Sequence, residues 1–203
     1  MGMGRVAFFQ ELMNALSMIP PSLAMTLAYL SCENGATCRS WASLIVLLAT
    51  LGHAPVALVY HMRCAFELDK HPIDNNARRR DQTVIHTLCA AYSYALTGSW
   101  LYGAANTVLN AWCVTYIWRK GPKSWGNYVR GRMVTATVLY LLPMTWRPGQ
   151  LANFGMTMAL LVISLVFFIF SHKYFGGYGH TLFHLCMVPY GQIILSSADK
   201  VQL

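Results

Sequence analysis

The sequence predicts an all-α integral membrane protein, a seven-transmembrane-helix bundle that forms a single domain over residues 1–203. Hydrophobic residues make up 56% of the chain and charged residues only 11%, whereas soluble domains carry about 25% charged residues. The charges are also clustered, which leaves uncharged apolar windows at 12–32, 40–62, 82–118, 148–172 and 174–198. An apolar window of about 20 residues matches the hydrocarbon thickness of a bilayer.

Each span follows from one of these windows or from the apolar residues near it. The predicted spans, in chain order, are 7–30, 41–65, 82–97, 99–118, 126–146, 150–171 and 176–197. We expect a kink in the first span at Pro20-Pro21, which a membrane helix tolerates when neighbouring helices satisfy its backbone. The window 82–118 is too long for one crossing and is interrupted by Thr-Gly-Ser at 97–99, so it predicts a helical hairpin. The fifth span is long enough to cross a bilayer if the side chains of Arg130 and Arg132, near its start, extend to the lipid headgroups.

The basic residues are distributed unevenly between the two ends of such a bundle. The formal net charge is +8, and with seven spans one membrane side carries twelve of the 15 lysines and arginines: Arg5, Arg63, Lys70, Arg78, Arg79, Arg80, Arg119, Lys120, Lys123, Arg130, Arg132 and Lys173. The other side carries Arg39, Arg147 and Lys200. This bias predicts a cytoplasmic N-terminus and an outer or lumenal C-terminus. It also predicts contact of the basic loops with anionic lipid headgroups rather than with nucleic acid.

The six cysteines fall into two groups. Four lie in or at the ends of predicted spans and are expected to pack as small apolar side chains: Cys64, Cys89, Cys113 and Cys186. Cys32 and Cys38 flank the first loop, which the charge bias places outside the cytoplasm. A disulfide between them and a pair of free thiols both remain open.

Several ionisable residues lie within the predicted spans, where they are costly and indicate functional sites. They are Glu11, His53, His61, Asp81, His86, His180 and His184. Under the seven-span topology His61, Asp81, His180 and His184 lie at the same membrane side. His53 is two turns away from His61, about 12 Å along the helix. His53 is therefore interpreted as a packing residue. His86 lies five residues after Asp81 and projects from a different helix face, so it is interpreted in the same way.

His180 and His184 are the main evidence for a metal site. At positions i and i+4 of a helix, two side chains have Cβ atoms about 5–6 Å apart on one face, as in zinc-binding helices. His61 is the natural third ligand, and three protein ligands with one open position are typical of catalytic zinc. Asp81 is then the candidate general base or hydrogen-bond acceptor for the attacking water. Alternatively, the histidines pack through hydrogen bonds and Asp81 is the N-cap of the third predicted span.

These residues resemble the pattern of the CREST superfamily of seven-transmembrane putative zinc hydrolases. That group includes alkaline ceramidases, progestin and adipoQ receptors, haemolysin III-type proteins, and the myomaker and transmembrane-protein-8 branch. The similar segments are ALVYH at 57–61, RRRDQTVIHTLCAAYSYALTG at 78–98 and GHTLFHL at 179–185. The segments LVYHMRC and YGHTLFHLCM most resemble the last-named branch.

The resemblance implies zinc bound by His61, His180 and His184, with Asp81 as the site aspartate. Ala57 stands where the superfamily often has a serine, one helical turn before the first histidine, and this substitution weakens the inference of catalysis. The myomaker-like branch also implies the membrane orientation opposite to that predicted by the charge bias.

The sequence therefore predicts a zinc-dependent hydrolase that acts on a lipid amide or ester bond. The first alternative is a non-catalytic receptor or membrane-remodelling protein in which zinc holds the helices together. The second is a bis-histidine haem protein for electron transfer, which requires two histidines that face each other from different helices.

Overall fold

In a computed structural model, which describes residues 5–31, 40–68, 75–120 and 127–201, all regular secondary structure of these residues is helical. The helices are α1 (Arg5–Leu16), α2 (Ile19–Leu30), α3 (Trp41–Ala65), α4 (Asn76–Thr97), α5 (Trp100–Arg119), α6 (Asn127–Leu141), α7 (Leu151–Ile169), α8 (Ser171–Tyr174) and α9 (Gly179–Asp199). A 3₁₀ turn, Leu142–Thr145, follows α6. Cys32 and Cys38 lie outside the described residues; Cys64, Cys89, Cys113 and Cys186 are free thiols, the first three buried.

The first predicted span consists of two helices. α1 ends at Leu16 and α2 begins at Ile19, so the break precedes Pro20 and Pro21, which lie in the first turn of α2. Proline is tolerated there because the first N–H groups of a helix have no intrahelical acceptor. The prediction of a kink at this point is confirmed, and the kink divides the segment into two helices of 12 residues each.

The predicted hairpin is present between α4 and α5. Gly98 ends α4 with a left-handed φ of 70°, and the Ser99 side chain accepts a hydrogen bond from the Tyr102 N–H at the start of α5. At the other end of α4, the N-cap is Asn75, whose side chain accepts from the Arg78 N–H at 2.7 Å. The interpretation of Asp81 as an N-cap is therefore wrong, because α4 begins well before it.

Within the part of the chain that the structure describes, two helices are long and apolar enough to cross a bilayer on their own, by length and composition: α3, with 25 residues, and α7, with 19. The prediction of seven spans therefore exceeds what the individual described helices support. α1 and α2 are short because of the break before the prolines. α4 contains Arg78–Arg80 and several buried polar residues, and α6 has only 15 residues.

One end of the bundle is defined by hydrogen bonds between helix ends. The Arg147 guanidinium donates to the backbone carbonyls of Leu96, at the end of α4, and Ser197, at the end of α9, at 2.9 and 3.2 Å. The Ser40 hydroxyl, at the start of α3, donates to the Ala198 carbonyl. The start of α3 thus lies beside the end of α9. It follows that the end of α3 and the start of α9 meet at the opposite end.

The distribution of polarity is unusual for a protein in water. Fully buried positions include polar side chains such as Ser93, Thr157 and Ser164. Large apolar side chains are exposed on the outer faces of α2, α3, α5 and α7, among them Leu23, Leu27, Leu48, Val59, Leu101, Val108, Leu151, Val162 and Ile169. Extended apolar surface of this kind normally contacts lipid or another protein.

Candidate metal centre

His61, His180 and His184 converge at the end of α3 and the start of α9. The ring centroids are 4.6 Å apart for His180 and His184, 4.8 Å for His61 and His180, and 5.5 Å for His61 and His184. One possible ligand nitrogen from each ring lies within 4.8 Å of the other two. The three side chains therefore lie together as the sequence predicts, and they could hold a single metal ion; that they bind one stays a prediction.

A glycine permits the start of α9 to approach α7 and α8 closely. A Cβ atom at Gly179 would lie 2.0 Å from the carbonyl oxygen of Phe167 and 2.7 Å from the Cα of Ser171. Any larger residue would push the start of α9 outward. Because His180 follows directly, this close contact determines where the first ligand of α9 lies.

The outer partners of the ligand rings come from α1 and from the residue directly after its end, a segment that supplies none of the three histidines. The Glu11 carboxylate lies 2.9 Å from Nδ1 of His61. Nδ1 of His184 lies 2.8 Å from the Ser17 hydroxyl and 3.2 Å from the Asn14 carbonyl oxygen. Glu11 was identified from the sequence as an ionisable residue in a predicted span, where a charge is costly, but no partner was predicted for it. The sequence did not indicate that Asn14 and Ser17 would contact a histidine.

The helix break before the prolines makes the Asn14 carbonyl available. In a continuous helix this carbonyl would accept from the N–H of Met18, but Met18 instead donates to Ala15, at 3.2 Å. The Ser17 hydroxyl donates to the Asn14 carbonyl at 2.8 Å. Since its proton is used there, the Ser17 oxygen acts as an acceptor toward His184. A buried polar pair just before a proline pair is the sequence signal that could have revealed this contact.

These contacts determine the tautomers of two ligand rings. Glu11 accepts from Nδ1–H of His61, and Ser17 and Asn14 accept from Nδ1–H of His184. A neutral imidazole protonated at Nδ1 keeps its lone pair on Nε2. Metal-binding histidines usually donate their other N–H to a carboxylate or a backbone carbonyl in this way. Both rings therefore present Nε2 as the ligand atom.

His180 is the least constrained of the three rings. It is half-buried and packs edge-to-face against Phe168, with ring centroids 5.1 Å apart, and against Phe183 at 5.9 Å. Its apolar neighbours orient the ring by shape. The next residue, Thr181, donates to the Asn14 side chain at 2.8 Å, which ties the start of α9 to α1.

Asp81 is buried but is not a member of the three-histidine cluster. Its Oδ1 lies 3.1 Å from Nε2 of His53, on α3. His53 thus has a specific partner that the sequence did not indicate, and the predicted catalytic role of Asp81 stays a prediction. Ala57, which replaces the serine of the CREST pattern, is buried on α3 one turn before His61.

The haem alternative would use His53 and His86, and each of them has a hydrogen-bond partner in the structure. Nδ1 of His86, on α4, lies 2.8 Å from Oδ1 of Asn110, on α5. Nε2 of His53, on α3, lies 3.1 Å from Oδ1 of Asp81, on α4. His86 is almost completely buried, and its interpretation as a packing residue stays a prediction.

Comparison of the chain with protein-family models, with curated proteins and with solved structures finds no match.

Proposed function

We propose that the chain is a membrane-embedded, zinc-dependent hydrolase that cleaves a lipid amide or ester bond. The observation that supports this most strongly is the cluster of three imidazoles, two of which have Nδ1 engaged by α1. Three histidine ligands with a fourth position open for substrate or water are typical of catalytic zinc sites. When bound, zinc supplies Lewis-acid polarisation of a carbonyl oxygen and an activated water.

The residues present fit zinc by their chemistry. Imidazole nitrogen suits zinc among the common divalent metals, although it also suits copper, iron and nickel. Within the described residues, no cysteine belongs to the cluster. The Glu11–His61 and Asn14–His184 contacts are of the kind that orient zinc ligands and raise their basicity.

In the proposed reaction, Asp81 accepts a proton from the attacking water. His53 donates to Oδ1 of Asp81 and so restricts the rotation of the carboxylate, while Oδ2 is the oxygen proposed to take the proton. Since Asp81 is not a member of the three-histidine cluster, the proposed reaction requires the carboxylate to approach the cluster when substrate binds. General bases are often too distant from their reaction partner before the substrate is present.

The exposed apolar faces support the proposal that the whole bundle, and not only α3 and α7, lies in a membrane. Shorter helices cross with their neighbours in such a bundle, because adjacent helices satisfy the polar groups of a broken helix. The proposed topology has seven crossings with the basic end in the cytoplasm, and lipid substrates enter laterally.

A second candidate is a non-catalytic receptor or membrane-remodelling protein in which zinc holds α3 and α9 together. Two observations favour it. Ala57 provides no hydroxyl beside the cluster, and Asp81 is bonded to His53 rather than directed to the three histidines. In this alternative the metal contributes stability, and no lipid is turned over.

Elemental analysis of the purified protein, combined with a hydrolysis screen over ceramides and glycerolipids, tests the proposal. We expect about one zinc ion per chain and release of fatty acid that stops on chelation. Folded protein without metal would exclude both candidates. Zinc without any turnover would favour the non-catalytic candidate, and iron with a haem absorbance spectrum would favour electron transfer.

A further inference from the structure

Three buried side-chain atoms have no hydrogen-bond partner in the part of the chain that the structure describes: Oε1 of Gln82, Nε2 of His86 and Nη1 of Arg132. Gln82 and His86, 6% and 1% exposed, lie one turn apart on α4 and therefore on the same face. Arg132 lies on α6, and α4 packs against both α5 and α6. Because buried polar groups are nearly always paired, these atoms indicate a ligand or ordered water at the α4–α5–α6 junction.

The charge that Arg132 brings to this junction is positive. The Arg132 guanidinium stacks on α5, with Cζ 3.5 Å from the ring centroid of Tyr116 and 4.6 Å from that of Trp112. Among the described residues, no carboxylate pairs with it; the acidic residues Glu11 and Asp81 are bonded to histidines on α3. The group missing here is therefore an anion.

Two further cations lie at the same end of α5. The Arg79 guanidinium is 5.8 Å from the ring of Trp118, and Nζ of Lys120 is 5.9 Å from the ring of Tyr116. Trp112 is 54% exposed on the outer face of α5. Basic and aromatic side chains together are typical of the level at which lipid headgroups lie.

The two orphaned groups on α4 require hydrogen-bond donors. Asn110 donates its amide to the carbonyl of Asn106 at 2.8 Å, so its Oδ1 accepts from Nδ1–H of His86. Nε2 of His86 is then an acceptor, and so is Oε1 of Gln82. A ligand that satisfies all three groups has a negative oxygen for the guanidinium and hydroxyl groups for the two acceptors.

We propose that Arg132, His86 and Gln82 form a binding site for a phosphate ester that carries free hydroxyls, such as the phosphoglycerol headgroup of an anionic lipid. The phosphate lies against Arg132, with Lys120 and Arg79 adding to the positive potential. The hydroxyl groups donate to His86 and Gln82. This site lies on α4 and α6, away from the three histidines, and it is independent of zinc and of hydrolysis.

The test measures lipid retention by the purified full chain in phosphatidylcholine nanodiscs that contain either phosphatidylglycerol or phosphatidylmethanol, which has the same charge but no free hydroxyl. We expect the protein to retain phosphatidylglycerol in preference to both phosphatidylcholine and phosphatidylmethanol. Arg132→Gln should weaken retention about tenfold, the loss expected for a charge-assisted hydrogen bond. The matched control Arg80→Gln, which removes an exposed arginine of α4, should have no effect.

His86→Leu provides a second test, because it keeps the charge of the site. We expect it to abolish the preference for phosphatidylglycerol over phosphatidylmethanol. Thermal stabilisation of wild type by glycerol 3-phosphate in detergent, without lipid selectivity, would assign the same site to a soluble phosphate ester. Equal retention of all three lipids by wild type, with no effect of glycerol 3-phosphate, would overturn the proposal. All measurements are repeated after chelation of metal, so that a missing zinc site does not affect the result.

Discussion

The carboxylate of Glu11 and the imidazole of His61 lie 2.9 Å apart, and the contact connects α1 to α3. Glu11 is not a candidate ligand, yet it determines which nitrogen of His61 is available for a metal. The same helix provides Asn14, and the residue directly after its end is Ser17; both are partners of His184. The proposed metal affinity therefore depends on a helix that contains none of the ligands.

Glu11→Gln should lower the metal affinity about 10–100-fold, as is typical when an outer partner of a zinc ligand is changed. Glutamine still accepts a hydrogen bond from Nδ1–H but loses the negative charge that raises the basicity of His61. Competition with a chromogenic zinc chelator measures the change. Glu67→Gln, at an exposed position, is the control and should bind metal as wild type does. An unchanged affinity in Glu11→Gln would show that the contact does not act on the metal.

His184→Ala should reduce both the metal content and the thermal stability. It removes one of three ligands, and a bound metal stabilises the folded state by about 2.7 kcal/mol when its concentration is 100-fold above Kd. It also leaves the Ser17 hydroxyl without its histidine partner. The measurements are elemental analysis and thermal unfolding with and without added zinc.

His172→Ala is the matched control for this prediction, because His172 is exposed on α8, near the site but outside the cluster. It should retain both metal and stability. If zinc stabilised His184→Ala as much as wild type, the three-histidine site would be wrong.

Local sequence patterns predicted most of the helices and selected the three histidines that lie together. The i, i+4 spacing of His180 and His184 defines a helix face, and the uncharged windows separate most of the helices. Gly98 ended α4 as predicted, because it adopts a left-handed conformation that favours glycine.

Contacts between distant segments could not be predicted in the same way. The pairing of Asp81 with His53 depends on the position of α4 relative to α3 along the helix axis. The periodicity of a single helix does not determine that position. The outer partners of His184 depend on the break after Leu16, which frees one carbonyl near the prolines. The start of α4 was predicted too late because its first turns are charged, whereas the structure shows that Asn75 caps them.

The orientation of the bundle can be tested with single cysteines in a background from which the native cysteines have been removed. Asn76→Cys, at the exposed start of α4, should resist an impermeant thiol reagent in intact cells. Thr145→Cys, exposed at the opposite end, should react, because the basic end is expected in the cytoplasm. Labelling of Asn76→Cys alone would show that the topology is the reverse of the predicted one, in agreement with the orientation of the myomaker-like branch.

Asp81→Asn separates the hydrolase from the non-catalytic candidate. Asparagine keeps the oxygen that bonds to His53, so the fold and the packing of α3 against α4 should be retained, together with zinc. It cannot accept the proton that the proposed reaction transfers to Asp81. Turnover of the lipid that wild type cleaves should therefore fall about 10²–10⁴-fold, the contribution expected of a general base.

The outcome of Asp81→Asn is interpreted together with that of Ala57→Ser, which restores the hydroxyl common in the CREST pattern beside His61. If Asp81 is the base, Ala57→Ser should leave the zinc content unchanged and should not restore activity to Asp81→Asn. If Asp81→Asn keeps wild-type turnover with zinc in place, then the general base is another group. If wild type and both variants bind zinc, unfold at similar temperatures and release no fatty acid from any lipid tested, the metal is structural. In that case the contact between Asp81 and His53 stabilises the packing of α3 on α4 and has no chemical role.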